Sequence, residues 1–416
     1  MSQAAIKKER MFTGYQVLVI AMLAMIQFIV VLDFMVLSPL SVILLPELNI
    51  TTSQFGLVVS AYAFSAGASG LLAAGFADKF DRKKLLMFFF IGFLAGTVLC
   101  AIANSFHFLL AARIITGIFG GVIGSVSFAI ITDLFKMEVR GRVMGFVQMS
   151  FAASQVLGLP IGFELANRYG WHVPFWMIAG GGVLLAILIA VKLKPVDHHL
   201  QLKVEQKAFK HLWNTATRPD YAKSFLATTL LATGGFMLMP FGSAYSVHNL
   251  GVAADDLKWV YLITGIFSII FGPITGKLSD KIGKYPMFCI GTLLAIVMVG
   301  IYTHLGVTPL WQLILLNVVL FIGISARMIS SSALLTAIPD AKDRGAFMGI
   351  NSSVQQLSGG IASAVAGLIV FQNPSGFMEN YDILGYVVIG SMFVAMWMMY
   401  YLNRRVQRKL HTTQNV

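Results

Sequence analysis

The sequence predicts an all-α membrane protein whose twelve transmembrane helices form two pseudo-symmetric halves of six. Three observations predict this fold class. The 416-residue chain is 57% hydrophobic and only 12% charged, whereas soluble proteins have about 25% charged residues. It contains twelve apolar runs near the roughly 20 residues that a bilayer-spanning helix needs. Charged motifs also recur about half a chain apart. Together these features exclude a soluble enzyme and a disordered chain.

The apolar runs are bounded by short polar stretches, and each predicts one helix. The first run is longer than the apolar part of a signal peptide and has no small-residue cleavage site, so we expect it to be retained. The runs, called spans 1 to 12 throughout, cover residues 14–45, 53–76, 85–104, 107–132, 142–166, 173–193, 222–248, 257–276, 285–304, 309–338, 345–371 and 382–402.

The basic residues predict how the bundle is oriented. Of the 30 lysines and arginines, 26 lie at the termini and in alternate loops, whereas the opposite loops contain only Arg168 and Lys258. By the positive-inside rule, both termini are expected in the cytoplasm. The membrane that we expect is the inner membrane of a bacterium. The net charge of +12 is then explained by topology, and we expect no nucleic-acid partner.

The two halves of the sequence resemble each other. Arg-Gly-Arg-Val-Met-Gly at 140–145 recurs as Arg-Gly-Ala-Phe-Met-Gly at 344–349, an offset of 204, and Asp78 and Asp280 are 202 residues apart. Such a parallel repeat is typical of two bundles that move about a site at their interface. The predicted units are an N-terminal six-helix bundle at 1–193, a cytoplasmic linker at 194–221 and a C-terminal six-helix bundle at 222–416.

Several motifs carry a resemblance to a known family. Residues 276–284 follow the pattern of glycine, aspartate four residues on, a basic residue, glycine and a further basic residue. Span 1 contains Leu-Asp-Phe at 32–34, span 4 has Arg113 followed by Gly117, and span 5 has Gly-Leu-Pro-Ile-Gly at 158–162. In these motifs the chain resembles the major facilitator superfamily, especially its twelve-span drug/proton antiporters and the arabinose-efflux-like permeases. The resemblance implies the major facilitator fold, alternating access and a monomer.

Two charges inside the membrane are the leading functional candidates. Of 18 acidic residues, only Asp33 lies well inside a span, and Arg113 lies inside span 4. An ionisable group in hydrocarbon costs roughly 2.5–3.5 kcal/mol on insertion scales. Spans 1 and 4 are neighbours in the family fold, so we expect Asp33 and Arg113 to interact and to couple proton entry to export. A permanent salt bridge that clamps the helices, and direct cation binding, are the alternatives.

A row of small residues follows Arg113 in span 4. Such rows allow a neighbouring helix to approach closely, so we expect helix packing rather than ligand binding here. Its members are Gly117, Gly120, Gly124 and Ser127.

Other polar and aromatic side chains are candidates for a substrate cavity. Arg327 precedes three serines in span 10, where span 4 has no basic residue at the equivalent position. The position of Arg327 favours a role in substrate binding or gating. The alternative is a structural role, in which Arg327 contacts backbone carbonyls and holds span 10 in place. For the remaining candidates the alternative is packing between helices; they are Gln148, Gln155, Asn351, Gln355, Phe34, Tyr62, Phe236 and Tyr245.

Charged residues at the predicted cytoplasmic helix ends form a candidate gate. Arg82 is expected to pair with Asp133, and Asp78 to face the positive end of a neighbouring helix dipole. The family resemblance implies a latch across the cytoplasmic face in the outward-open state. Its candidate members are Asp78, Arg82, Asp133, Arg140, Asp280, Lys284 and Arg344.

The sequence contains no catalytic or metal-binding pattern. His198 and His199 are adjacent in the polar linker but lack the spacing of a metal site, and there is no phosphate-binding loop. We therefore expect no cofactor, no metal and no enzyme activity, with a small molecule, protons and the lipid bilayer as partners. The predicted function is proton-coupled export of a drug or sugar-like metabolite. A facilitator or proton symporter for a sugar or other metabolite, and a transporter-fold sensor, are the alternatives.

Overall fold

A computed structural model describes residues 12–73, 76–197, 200, 208–340 and 343–414. Apart from one small hairpin, the regular structure of these residues is helical. The α-helices are α1 (Gly14–Met35), α2 (Leu37–Glu47), α3 (Thr52–Ala73), α4 (Arg82–Ala101), α5 (Phe106–Leu134), α6 (Met137–Ala153), α7 (Leu159–Tyr169), α8 (Val173–Lys192), α9 (Ala208–Ala216), α10 (Pro219–Leu238), α11 (Gly242–His248), α12 (Leu257–Ile282), α13 (Lys284–Tyr302), α14 (Leu310–Thr336), α15 (Arg344–Ile369) and α16 (Tyr381–Gln414). Strands β1 (Phe371–Gln372) and β2 (Met378–Glu379) pair antiparallel between α15 and α16.

The predicted all-helical membrane fold is confirmed, with differences at the helix ends. Among the described residues, 11 helical segments are long and apolar enough to cross a membrane. Span 11 is the 26-residue helix α15, whose polar residues lower its hydropathy. Span 12 continues as helix to Gln414, well beyond the predicted end at residue 402. Spans 1, 5 and 7 are each interrupted and comprise two helices.

Local sequence signals explain where several helices begin and end. Thr13 and Gln16 form a capping box at the start of α1, with hydrogen bonds of 3.2 and 3.0 Å. These bonds satisfy amides that the first helical turn leaves without partners. Gly170 ends α7 at φ +95°, and Gly283 separates α12 from α13 at φ +100°. A side chain would strain the backbone at either glycine.

The twelve spans alternate in direction, so the start of α1 and the end of α16 lie at one end of the bundle. There, the Lys194 amide donates to the Tyr15 hydroxyl at 3.1 Å, and Arg405 pairs with Asp220 at 2.8 Å. We call this the basic end, because it bears the loops rich in lysine and arginine. The opposite end bears the β-hairpin and is called the hairpin end.

Spans 1 and 5 are parallel and fit together through small residues. The Ser150 hydroxyl donates to the Ala24 carbonyl at 2.6 Å, and the Ser154 hydroxyl to the Phe28 carbonyl at 3.1 Å. One turn further, a Cβ on Gly158 would lie 2.5 Å from Leu32 Cδ1. Residues Ser154–Gly158 form a π-helical turn at this contact. Span 5 therefore packs on span 1 beside Asp33.

Spans 2 and 11 form a second seam, which joins the two halves. Near the hairpin end, the Thr52 hydroxyl donates to the Val370 carbonyl at 2.6 Å, and a Cβ on Gly56 would lie 2.9 Å from the Ser363 carbonyl oxygen. Towards the basic end, a Cβ on Gly67 would lie 3.1 Å from the Ser353 carbonyl oxygen. Glycines thus allow these two backbones to approach closely along most of their length.

The buried apolar side chains form two clusters. The larger runs through spans 1 to 6 and continues into the hairpin-end part of the C-terminal half. The smaller lies at the basic end of the C-terminal half, around Phe225, Phe347 and Leu402. The halves therefore share packed contacts mainly towards the hairpin end.

Candidate functional site: a buried ion pair beside a central cavity

Asp33 and Arg113 form an ion pair inside the N-terminal half. Arg113 Nη1 donates to Asp33 Oδ2 at 2.7 Å, and both side chains are 0% exposed. The Thr97 hydroxyl donates to the other carboxylate oxygen at 3.1 Å. The structure thus brings together the two charges that the sequence predicted to interact. Thr97, on span 3, is a third member that sequence reasoning missed.

The helices around the pair approach closely because span 4 carries glycines. A Cβ on Gly117 would lie 2.5 Å from the Tyr62 carbonyl oxygen, and one on Gly120 would lie 2.8 Å from the Tyr62 hydroxyl. Gly124 differs, because a Cβ there would meet nothing within 4 Å. The predicted row of small residues is therefore a packing surface at Gly117 and Gly120 but not at Gly124.

An aromatic chain connects the ion pair with the opposite half. The Tyr62 ring lies 4.5 Å from the Arg113 guanidinium carbon and 5.4 Å from the Phe34 ring. Phe34 in turn lies 5.7 Å from Phe236 of span 7. Tyr62 is 2% exposed and lies behind Phe34. Two rings thus lie between the Arg113 guanidinium and Phe236 of the opposite half.

A small cavity, with room for about one water molecule, lies between the halves, where spans 1 and 7 are interrupted. It is smaller than typical ligand pockets of roughly 300–1,000 Å³. Pro240 occupies the interruption of span 7, where its missing amide hydrogen breaks the helical hydrogen bonding. The residues that line the cavity are Phe34, Leu37, Ser38, Val59, Phe236, Met239, Pro240 and Ser363.

An ion pair joins the halves at the hairpin end. Lys258 Nζ of span 8 lies 2.7 Å from Glu164 Oε2 of span 5, and Arg168 binds the other oxygen of the same carboxylate at 2.5 Å. Four further hydrogen bonds between the two halves also lie in the hairpin-end half of the molecule. These bonds are Asn167 to Asp255, Thr52 to Gly367 and Val370, and Ser38 to Met239.

The predicted amide candidates occupy different environments. Asn351 is 9% exposed, and its side-chain oxygen accepts a 2.5 Å hydrogen bond from the Thr228 hydroxyl. Gln148 is exposed, whereas Gln155 and Gln355 are half-buried. The geometry thus assigns Asn351 a contact between spans 7 and 11 and leaves Gln155 and Gln355 partly accessible. Tyr245 lies away from the cavity wall, stacked on Tyr381 with the ring centroids 4.0 Å apart.

Three candidate gate residues at the basic end, Arg82, Arg140 and Lys284, each contact a residue of their own half. Arg82 Nε lies 3.4 Å from Asp133 Oδ2, the pairing that the sequence predicted. Arg140 Nε donates to the Phe135 carbonyl at 2.9 Å. Lys284 contacts Asp280 one turn away, and Arg344 is exposed. The side chain of Asp78, together with His198 and His199, lies outside the described residues.

The contacts that Glu164 and Ser38 make between the halves could not have been predicted from the sequence. Glu164 was visible as an acid near a span end, but its partner Lys258 is 94 residues away. Ser38 is one of many serines in the chain, and only the fold places it against the carbonyl of Met239. Contacts between distant helices leave no local pattern in one sequence.

Two repeated bundles, a central cavity and a buried ion pair define a membrane transport protein. The family model of the Major Facilitator Superfamily matches residues 23–223 and again residues 224–415. The chain belongs to the Major Facilitator Superfamily. Two similar curated proteins come from Bacillus subtilis (strain 168). The uncharacterized MFS-type transporter YceJ is 26% identical over 65% of this chain and 68% of its own length, and the uncharacterized MFS-type transporter YbcL is 24% identical over 90% and 92%.

Solved structures support the same fold. A bacterial homologue of the human lysosomal transporter Spinster, in an inward-facing and occupied conformation, superimposes with a TM-score of 0.74 at 16% identity. The comparison covers 94% of this chain and 98% of that one. A point mutant of the nucleoside transporter NupG gives a TM-score of 0.73 at 15% identity, over 92% and 99% of the two chains.

Proposed function

We propose that this transporter is a proton-coupled antiporter that exports a small molecule across the inner membrane by alternating access. The observation that carries the proposal is the Asp33–Arg113 pair. Both side chains are fully buried and joined at 2.7 Å. A charge in such a position is expensive and usually functional. The position of the pair behind the cavity-lining Phe34 supports a role in coupling.

The proposed coupling relies on the charge of Asp33. When Asp33 is ionised, it neutralises Arg113 and holds span 4 against span 1. Protonation removes that attraction, and Arg113 then shifts against the Tyr62 ring, which in turn moves Phe34 relative to Phe236. The protein thereby binds either the substrate or the proton, because each favours a different position of Phe34.

We further propose that the basic end faces the cytoplasm, as the distribution of lysine and arginine favours. The contacts across the hairpin end, including Glu164–Lys258, then close the outer side of the transporter. In the opposite state, the candidate gate residues around Arg82, Asp133 and Arg140 would close the cytoplasmic side. Gln155 and Gln355, which are half-buried, would contribute to substrate recognition.

Transport by proteoliposomes tests the proposal. Candidate drugs and sugars would be compared in two modes, accumulation driven by a pH gradient and exchange without one. The Asp33→Asn variant is expected to lose gradient-driven accumulation but to retain exchange. Asp197→Asn removes an exposed carboxylate and should leave both modes unchanged. Gradient-driven accumulation by Asp33→Asn at the wild-type rate would refute the coupling role.

A facilitator or proton symporter for a sugar or other metabolite is the second candidate function. Among the described residues, the acids of spans 7 to 12 lie towards helix ends. Asp343 is buried, but it lies at the start of α15, so none of these acids matches Asp33 inside a span. The lack of a second acid inside a span favours coupling through Asp33 alone, or transport without proton coupling. Substrate flux that is unaffected by a pH gradient would establish a facilitator.

A further inference from the structure

Arg327 is a second buried arginine, and its surroundings differ from those of Arg113. Arg327 is 5% exposed, and neither Nε nor Nη2 has a hydrogen-bond partner among the described residues. Arg113 also has two nitrogens without partners, but its charge is neutralised by Asp33. The two buried arginines therefore differ in whether a counter-charge lies beside them.

No described carboxylate neutralises Arg327. Asp280 follows Ser279, whose hydroxyl lies 3.3 Å from that of Ser330 beside Arg327. However, the Asp280 side chain is 70% exposed and is bound by Lys284. The other described acids of spans 7 to 12 and their caps lie further towards the helix ends; they are Asp220, Asp255, Asp256, Asp340, Asp343, Glu379 and Asp382.

The backbone of Arg327 is held rigidly on span 9. A Cβ on Gly291 would lie 3.0 Å from the Arg327 nitrogen and 2.8 Å from the Gly323 carbonyl oxygen. The guanidinium carbon lies 5.9 Å from the centroid of the Phe288 ring. The Arg327 side chain extends from span 10 to span 7, where a Cβ on Gly234 would lie 3.8 Å from Nη1.

The neighbouring glycine connects this position with the central cavity. Gly235 is exposed, and a Cβ there would meet nothing within 4 Å. It lies one helical turn before Met239, so the two residues share a face of span 7, and Met239 lines the cavity. At Gly234 and Gly235, span 7 thus bears no side chain between the guanidinium and the exposed face of this span.

We propose that Arg327 binds the anionic group of the transported molecule, which reaches it from the cavity past Gly235. The substrate class is then a small organic anion that bears a carboxylate or a phosphate group. An unneutralised guanidinium in this environment gains a strong, charge-assisted hydrogen bond from such a group. This inference rests on the proposed transport function and specifies its substrate.

Thermal unfolding of the purified full-length protein tests the proposal without any proton measurement. The probes are benzoate, citrate and inorganic phosphate, with benzamide as the neutral analogue of benzoate, in a chloride buffer. At least one of the three anions is expected to raise the wild-type unfolding midpoint by a few degrees, because a ligand that binds only the folded state stabilises it. Benzamide should have no effect.

Two variants separate binding from structural support. Arg327→Gln removes the uncompensated charge, so its midpoint without ligand should equal or exceed that of the wild type, and the anion response should vanish. Gly235→Leu obstructs the path but keeps the charge, so it should weaken the anion response at least tenfold in apparent affinity. Arg404→Gln, at an exposed arginine of span 12, is the matched control and should respond as the wild type does.

Three results would overturn the proposal. They are a wild-type midpoint that responds to none of the three anions, an equal response in Arg327→Gln, and a lower midpoint of Arg327→Gln without ligand, which would indicate that the arginine supports span 10. Failure of the antiporter mechanism would instead appear as transport without proton movement, with the anion response intact.

Discussion

Asp33 and Arg113 stabilise each other in a place that water does not reach. Their contact is 2.7 Å, and Thr97 supplies one further hydrogen bond to the carboxylate. Removal of one partner from a buried pair leaves an uncompensated charge, which typically costs about 3–5 kcal/mol. Removal of both partners avoids that penalty.

This contrast gives a prediction for stability. Asp33→Asn and Arg113→Gln should each lower the free energy of unfolding by about 3–5 kcal/mol, whereas the double variant should lose clearly less than the sum of the two. Denaturation of the purified protein in detergent measures all three, with Asp197→Asn as the control. Additive losses would show that the two side chains do not depend on each other for their stabilisation.

Two glycines of span 4 provide a second comparison between single residues. A methyl group on Gly117 would lie 2.5 Å from the Tyr62 carbonyl oxygen, whereas one on Gly124 would meet nothing within 4 Å. Gly117→Ala should therefore destabilise the protein by about 1–3 kcal/mol through overpacking, and Gly124→Ala should be neutral or slightly stabilising. Thermal unfolding of the two variants measures this difference; equal midpoints would mean that spans 2 and 4 separate easily.

Among the helices, the interruptions of spans 1 and 7 meet at the cavity, and the interruption of span 5 packs on span 1. The π-helical turn Ser154–Gly158 packs on Leu32. A Cβ on Gly265 of span 8 would lie 3.0 Å from the Val156 Cα, so the same turn also contacts the opposite half. Span 5 thus connects the ion-pair region with the interface between the halves.

The ion pair between spans 5 and 8 should bias the transporter towards closure at the hairpin end. Glu164 and Lys258 are partly exposed, and such pairs contribute roughly 0.2–1 kcal/mol. Lys258→Met should therefore increase labelling of a cysteine at Val59, in the cavity wall, by up to about fivefold from the hairpin side. An impermeant maleimide and a background without Cys100 and Cys289 are required.

Arg168 also binds Glu164 and would repel a lysine there, so the reversed pair, Glu164→Lys with Lys258→Glu, is compared with the unreversed pair in an Arg168→Gln background. The two labelling rates should be equal if the attraction between the charges is responsible. An unchanged rate in Lys258→Met would instead assign closure to the apolar contacts and the span 2–11 seam.

At the scale of the whole molecule, a covalent link across the halves should stop transport. Cysteines at Thr52 and Val370 replace a hydroxyl-to-carbonyl contact of 2.6 Å between the halves. Cysteines at Ser150 and Ala24 replace a contact of the same kind and length within one half. Oxidation should block transport only in the first variant, and a reductant should restore it. Continued transport by the oxidised, fully cross-linked Thr52–Val370 variant would exclude movement of the halves at this seam.

The sequence predicted the helical membrane fold because apolar length and basic loops are strong, local signals. It also predicted the contact between Asp33 and Arg113, since an isolated carboxylate and guanidinium within apolar spans have few other partners. The distinction between Gly117 and Gly124 was not predictable, because it depends on how span 4 is rotated against span 2. The unneutralised charge of Arg327 likewise becomes evident only when every neighbouring span is in place.

The coupling role of the Asp33–Arg113 pair is tested most directly by the proton flux that accompanies substrate transport by the double variant Asp33→Asn/Arg113→Gln. A pH-sensitive dye inside proteoliposomes would follow this flux while a substrate gradient is imposed. If the pair couples protons to substrate, the folded double variant should exchange substrate without proton movement. If the double variant moves as many protons per substrate as the wild type does, the pair has no coupling role. It would then only hold spans 1 and 4 together.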